Sequence, residues 1–235
     1  MTETSEKKVS IVLRGAFNPT IVQPWWLAQK EFITEEEAGD ADLKLITSEL
    51  TQFTVGERFR LISSSDRFDV LTALMPYVAI SDMVVRIFQE FLPETPIRSF
   101  GINLHTILSV GGWKNRDRMG RKLAPIEPWG DWASDLPAES PEQNGGMTDL
   151  VMKQTFVSDR DQGYLQARIA PFELEQVKLD VNNHFGFEGL WESKERLNGL
   201  QASELVSERF DDAVNQCERI VEQIEKLSKS CGEES

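Results

Sequence analysis

Apolar and polar residues alternate along this chain in two rhythms, and the order in which the rhythms change predicts an architecture. Val9 to Phe17 is an apolar, strand-like run that stops at Asn18-Pro19. Gln23-Pro24 restarts the chain as a short helix with Trp25, Ala28 and Phe32 on one stripe. Thr34 followed by Glu35, Glu36 and Glu37 has the form of a capping box, which predicts a second short helix ending near Gly39. Leu43 to Val55 and Arg58 to Val70 are two extended segments meeting at Gly56-Glu57, a hairpin pattern. Beyond Pro76, Ile80, Met83, Val84, Ile87, Phe88 and Phe91 recur at helical spacing until Pro93 and Pro96 intervene. From Ile97 to Val110 the period returns to two. Phe100, Ile102, Leu104, Leu108 and Val110 share one face, with Ser99, Gly101, Asn103, His105 and Ser109 on the other.

Gly111-Gly112 breaks that strand, and Trp113 to Ala124 reads as a short basic helix. Pro125 to Gly146 carries four prolines and no periodicity, so it is a long loop, and Trp129 and Trp132 favour a strap pinned to the body. Leu150 to Val157, Tyr164 to Pro171 and Val177 to His184 predict a three-strand meander, followed by a loop containing Trp191. Phe210, Ala213, Cys217, Ile220, Ile224, Leu227 and Cys231 then recur three and four apart, predicting an amphipathic helix over 203–228.

The expected class is α+β. A ferredoxin-like βαββαβ unit occupies the first half, further antiparallel strands the second, and a long amphipathic helix the C-terminus. The expected organisation is a tail at 1–8, a single domain over 9–200, a helix at 201–229 and a tail at 230–235. Within the domain lie the ferredoxin-like unit (9–112), the basic helix with its Trp/Pro-rich loop (113–146) and the meander (147–190). Pattern leaves open whether the later strands extend the first sheet or build a second one.

Charge narrows the partners. The 235 residues include 39 acids and 25 lysines and arginines, a net −14, which opposes non-specific grip on a phosphate backbone. The Val9 to Leu13 run is too short for a signal peptide or a membrane span, so a cytoplasmic protein with no membrane association is expected. Cys217 and Cys231 fall on one predicted helix, roughly 21 Å apart at the usual rise, too far to pair.

Asn18-Pro19 with Pro24-Trp25-Trp26-Leu27, then Glu36-Glu37-Ala38, Thr95-Pro96-Ile97, Gly101-Ile102-Asn103, Arg121-Lys122-Leu123-Ala124-Pro125 and Asp180-Val181-Asn182-Asn183-His184-Phe185 follow one another in a specific order and spacing. Together they resemble an uncharacterised family of bacterial proteins of similar length, over about residues 11–187. The resemblance implies a bacterial, cytoplasmic protein with no established activity or cofactor. The C-terminal helix lies outside it.

Histidine occurs twice. His105 and His184 both sit on polar strand faces, and with Asp180 they would make a two-histidine, one-carboxylate metal set if their strands were neighbours. The plainer reading is two exposed or hydrogen-bonded strand-end residues without metal. Neither histidine fits a phosphoesterase pattern, because Ile107 and Gly186 stand where a hydroxyl residue would be needed. Asp180 with Glu192-Ser193-Lys194 matches the letters of a nuclease motif, but the second part falls in a Trp-bearing loop or helix start rather than on a strand. No phosphate-binding glycine loop occurs, since Val110-Gly111-Gly112-Trp113 lacks the length and the Lys-Ser/Thr ending. Lys114, Arg116, Arg118, Arg121 and Lys122 form the best binding candidate, aided by stacking from Trp129 and Trp132, although helical charge runs are commonly paired within the chain.

The leading expectation is a non-catalytic interaction or accessory protein that binds a protein or anionic partner and uses no cofactor. Two alternatives stand beside it: a metal-dependent hydrolase on His105, His184 and Asp180, and a weak nucleic-acid binder on residues 114–122. A homodimer seam through 203–228 is the alternative to packing that helix on the body.

Overall fold

In the computed structural model, which describes residues 7–136, 146–157, 162–187 and 197–233, a nine-stranded antiparallel sheet carries the helices on one face. β1 (Lys8–Gly15) lies near its centre, and α1 (Pro24–Gln29) and α2 (Glu35–Gly39) follow it. Four strands come next: β2 (Asp42–Ile46), β3 (Leu50–Val55), β4 (Phe59–Ser64) and β5 (Arg67–Thr72). α3 (Val78–Arg86) widens into a π-helical turn over Ile87–Phe91 before β6 (Ile97–Ser109). α4 (Trp113–Leu123) and a 3₁₀ segment (Glu127–Asp135) precede β7 (Leu150–Val157), β8 (Gln162–Pro171) and β9 (Gln176–Gly186). α5 (Gly199–Glu233) closes the chain. The spatial order is β2-β3-β4-β5-β1-β6-β9-β8-β7, so the second-half meander extends the first sheet.

Local chemistry explains the elements. Thr34 accepts from the Glu37 amide at 3.1 Å while the Glu37 carboxylate accepts from the Thr34 amide at 2.8 Å, completing the capping box. Each long segment of the expected hairpin is divided in two. Thr47 Oγ1 accepts from the Glu49 and Leu50 amides and folds a turn between β2 and β3. Ser64 donates to Asp66 at 2.8 Å in the turn between β4 and β5. Gly56, at φ +47°, makes the turn expected at the middle.

One core lies between sheet and helices. Val9, Ile11 and Leu13 of β1, Phe100, Ile102 and Leu104 of β6, and Val177, Leu179 and Val181 of β9 are all buried. The α1 stripe differs from expectation: Leu27 is buried and Trp26 packs on Phe32 and Phe91, while Trp25 points outward, 58% exposed. α5 lies on β6 and β9 and against α3 and α4, burying Phe210, Ala213, Cys217 and Val221. Its buried line runs through Val221, with Ile220 at the margin. The helix is also longer than the pattern indicated, because Ala202, Leu205 and Val206 continue the stripe toward its start. No helix among the described residues is long and apolar enough to cross a membrane.

Candidate functional site

Strand periodicity that sends apolar residues to the helices sends the intervening residues to the opposite face. There the strands surround a cleft of about 690 Å³, lined entirely by residues of β1, β4, β5, β6, β8 and β9. The register aligns these residues in rows across the sheet. One row runs Leu71, Ser10, Asn103, Asn182, Gln166. The next runs Lys8, His105, Asp180, Arg168. On the other side lie Asp69, Val12, Gly101, His184 and Tyr164. Gly101 keeps this part of the floor shallow, since a Cβ there would come within 3.1 Å of Asn182 Oδ1.

Hydrogen bonds tie the centre together. Ser10 Oγ is 3.4 Å from His105 Nε2 and accepts from Asn103 Nδ2 at 3.1 Å. His105 Nδ1 is 2.7 Å from Asp180 Oδ1, and Lys178 Nζ is 3.1 Å from Asp180 Oδ2. Burial pulls the Asp180 carboxyl upward, but the hydrogen bonds from His105 and Lys178 outweigh it and hold the group below the usual carboxylate range. Two acceptors, Asp69 Oδ1 and Asn182 Oδ1, are buried without a hydrogen-bond partner among the described residues. Each such atom costs about 1–3 kcal/mol unless something donates to it.

The cleft reverses the sign of the molecule. Among the described residues, Arg14, Arg60, Arg67, Arg168 and Lys178 line it against Asp69 and Asp180, in a chain of net charge −14. Arg67 donates to Asp69 at 2.6 Å, Arg14 to Asp66 at 2.7 Å and Arg168 to Asp149 at 3.0 Å. Arg60 has no ion-pair partner among the described residues.

The two-histidine metal set is not assembled. His105 and Asp180 meet, but His184 pairs with Gly101, four residues along β6 from His105, or roughly 13 Å at strand rise. Its ring stacks on Tyr164 with centroids 4.8 Å apart. Among the described residues no group of three or more His, Cys, Asp or Glu side chains is placed to hold a metal. Trp191 and the Glu192-Ser193-Lys194 half of the nuclease letters lie outside the described residues.

The basic helix is engaged within the chain. Arg116 donates to the Glu173 carbonyl at 2.7 Å, Arg118 to the Cys231 carbonyl at 2.9 Å, and Arg121 to Asp117. Lys114 lies over the Trp113 ring, and Lys122 also has a partner. A smaller cavity of about 230 Å³ lies under this helix, against Met119, Met147 and Val177. Trp129 and Trp132 do not pin the strap to the core: both are 64% exposed and lean on each other, ring centroids 5.8 Å apart. Ser10, Arg14, Arg60, Arg67 and Asp69 belong to the cleft without having been singled out from the sequence. A lone hydroxyl between Val9 and Ile11 carries no local signal, and the arginines show only strand alternation.

No protein-family model matches this chain, and no curated protein matches it.

Proposed function

We propose that this chain is a binding protein of the bacterial cytosol, whose open sheet face takes a small, anionic, hydrogen-bond-donating ligand. The carrying observation is the charge reversal in the cleft: five basic side chains and two carboxylates on a protein with net charge −14. Concave basic surroundings concentrate anions, and the cleft volume is that of a small-molecule site. The orphan acceptors Asp69 Oδ1 and Asn182 Oδ1 favour a ligand that also carries hydroxyl or amine donors. Phosphorylated or carboxylated polar metabolites have both properties. Location in a bacterial cytosol rests on the family resemblance described above, and detection of the native protein in a non-cytosolic fraction would oppose it.

We infer that this face is carried on a ferredoxin-like scaffold. β4-β5-β1-β6 has the spatial order of a ferredoxin-like unit, with β4 and β1 parallel about a shared neighbour and helices in both crossovers. The β2-β3 hairpin then enlarges the unit at one edge. Cross-strand amide NOEs that do not place β4 and β1 on either side of β5 would remove this support.

Thermal shift and calorimetry against pyrophosphate, citrate, sugar phosphates and nucleotides test the binding reading. A binding anion raises Tm with concentration, and saturation at a hundred times Kd adds about 2.7 kcal/mol. Arg60→Ala with Arg67→Ala is expected to abolish the shift. Indifference of the wild-type protein to every anion at millimolar concentration would reject the reading.

A further inference from the structure

The geometry points to a second capability in the cleft: Ser10, His105 and Asp180 form a nucleophile, a general base and an orienting carboxylate for metal-free hydrolysis of esters or thioesters. Three consecutive strands supply the three residues. His105 of β6 is directly opposite Asp180 of β9 and Lys8 of β1, and Ser10 is two residues along β1 from Lys8. All three side chains therefore lie on the cleft face. The order hydroxyl, imidazole, carboxylate follows from the strand order β1-β6-β9.

The hydrogen-bond pattern assigns the roles. Asp180, as a carboxylate, only accepts, so the proton of the neutral imidazole is on Nδ1, directed at Asp180 Oδ1 2.7 Å away. Nε2 then presents its lone pair to Ser10 Oγ at 3.4 Å. Such contacts are commonly long without substrate and tighten when it binds. Asn103 Nδ2, 3.1 Å from the same hydroxyl, is placed to donate to a carbonyl oxygen when that carbon reaches Ser10. Nucleophile, base, orienter and oxyanion donor thus converge on one point.

The reaction balances with water alone as co-reactant. Ser10 Oγ bonds to the acyl carbon as its proton passes to His105 Nε2. The bond to the leaving alcohol or thiol breaks, and His105 returns the proton to it. His105 next takes a proton from water, whose oxygen attacks the acyl carbon. The acyl–serine bond breaks and the proton returns to Ser10. Ser10 is only 2% exposed, opening onto the cleft floor beside Leu71 and Val12, so the acyl group must be small and apolar. That the leaving portion is anionic rests on the binding proposal above.

A small uncharged fluorophosphonate and p-nitrophenyl acetate test the triad independently of anion binding, so the two proposals can fail separately. The expected result is a one-to-one adduct on Ser10 by mass spectrometry and catalytic turnover of the ester. Ser10→Ala should show neither. His105→Ala should slow both by about 10²–10⁴-fold, the range for loss of a general base. Asp180→Asn should lower kcat with little change in KM, and Asp180→Glu should recover part of the loss, as a positioning role requires. Ser10→Cys guards against misfolding of the alanine variant: it should lose the ester activity yet gain an iodoacetamide adduct at residue 10. No Ser10 adduct on the folded wild-type protein, or labelling at an unchanged rate in His105→Ala, overturns the inference.

Discussion

His105 and Asp180 face each other on adjacent strands, with Nδ1 and Oδ1 2.7 Å apart at the centre of a basic cleft. The contact connects site chemistry to stability, because the folded carboxyl is held below its ordinary value. A depressed folded pKa stabilises above the unfolded value of about 4, and that contribution disappears as pH falls through the lower folded value. Asp180→Asn should therefore cost about 1–3 kcal/mol at neutral pH. Urea unfolding of both proteins from pH 7 to pH 2 checks this. The gap between them should hold to about pH 4 and shrink below it.

Val221 and Ile220 separate the buried line of α5 from its margin. Val221 is fully buried, whereas Ile220 only packs against the core. Val221→Asp places a carboxylate among apolar side chains and should cost several kcal/mol, about the upper end for an uncompensated polar group in a core. Ile220→Asp should cost clearly less. Equal midpoints for the two variants in a urea titration would contradict this placement of the helix.

Cys217 lies on the buried face of the same helix, and burial pushes its thiol up to about 12. The native thiol should resist thiol reagents at pH 8 and react once the protein unfolds. Between about pH 9 and 12 the unfolded chain loses this proton while the folded one keeps it, so stability falls as pH rises. Replacing Cys217 with Ala should flatten that alkaline limb, as read from Tm against pH.

Gly163 of β8 supports the Tyr164–His184 edge of the cleft from behind. A Cβ at this position would stand 1.8 Å from the His184 carbonyl oxygen, so β8 and β9 must separate to admit one. Gly163→Ala should cost about 1–3 kcal/mol, the range for overpacking, and lower Tm accordingly. An unchanged Tm would show that the close approach does not exist.

Local pattern accounts for the elements, and long-range register for what escaped it. The period-two face of β6 separates Phe100, Ile102 and Leu104 from Asn103 and His105, as the alternation indicates. The Thr34–Glu37 box forms with both reciprocal bonds. The meeting of His105 with Asp180 depends on a β6-β9 pairing across 75 residues, and that of Ser10 with His105 on a β1-β6 pairing across 95. Period two assigns a residue to a face without assigning its strand a neighbour. Arg116, Arg118 and Arg121 illustrate the converse: a charge run looks available in one dimension, yet folding brings the carbonyls of Glu173 and Cys231 to two of them.

The most direct measurement of the central claim is an NMR titration of the folded protein with pyrophosphate at low salt, following backbone amides. The account predicts saturable shifts at Ser10, Arg60, Arg67, Asn103 and Asp180, with the 114–122 helix unaffected. Shifts confined to that helix, or none at any residue, would contradict the assignment of the open sheet face as the functional site.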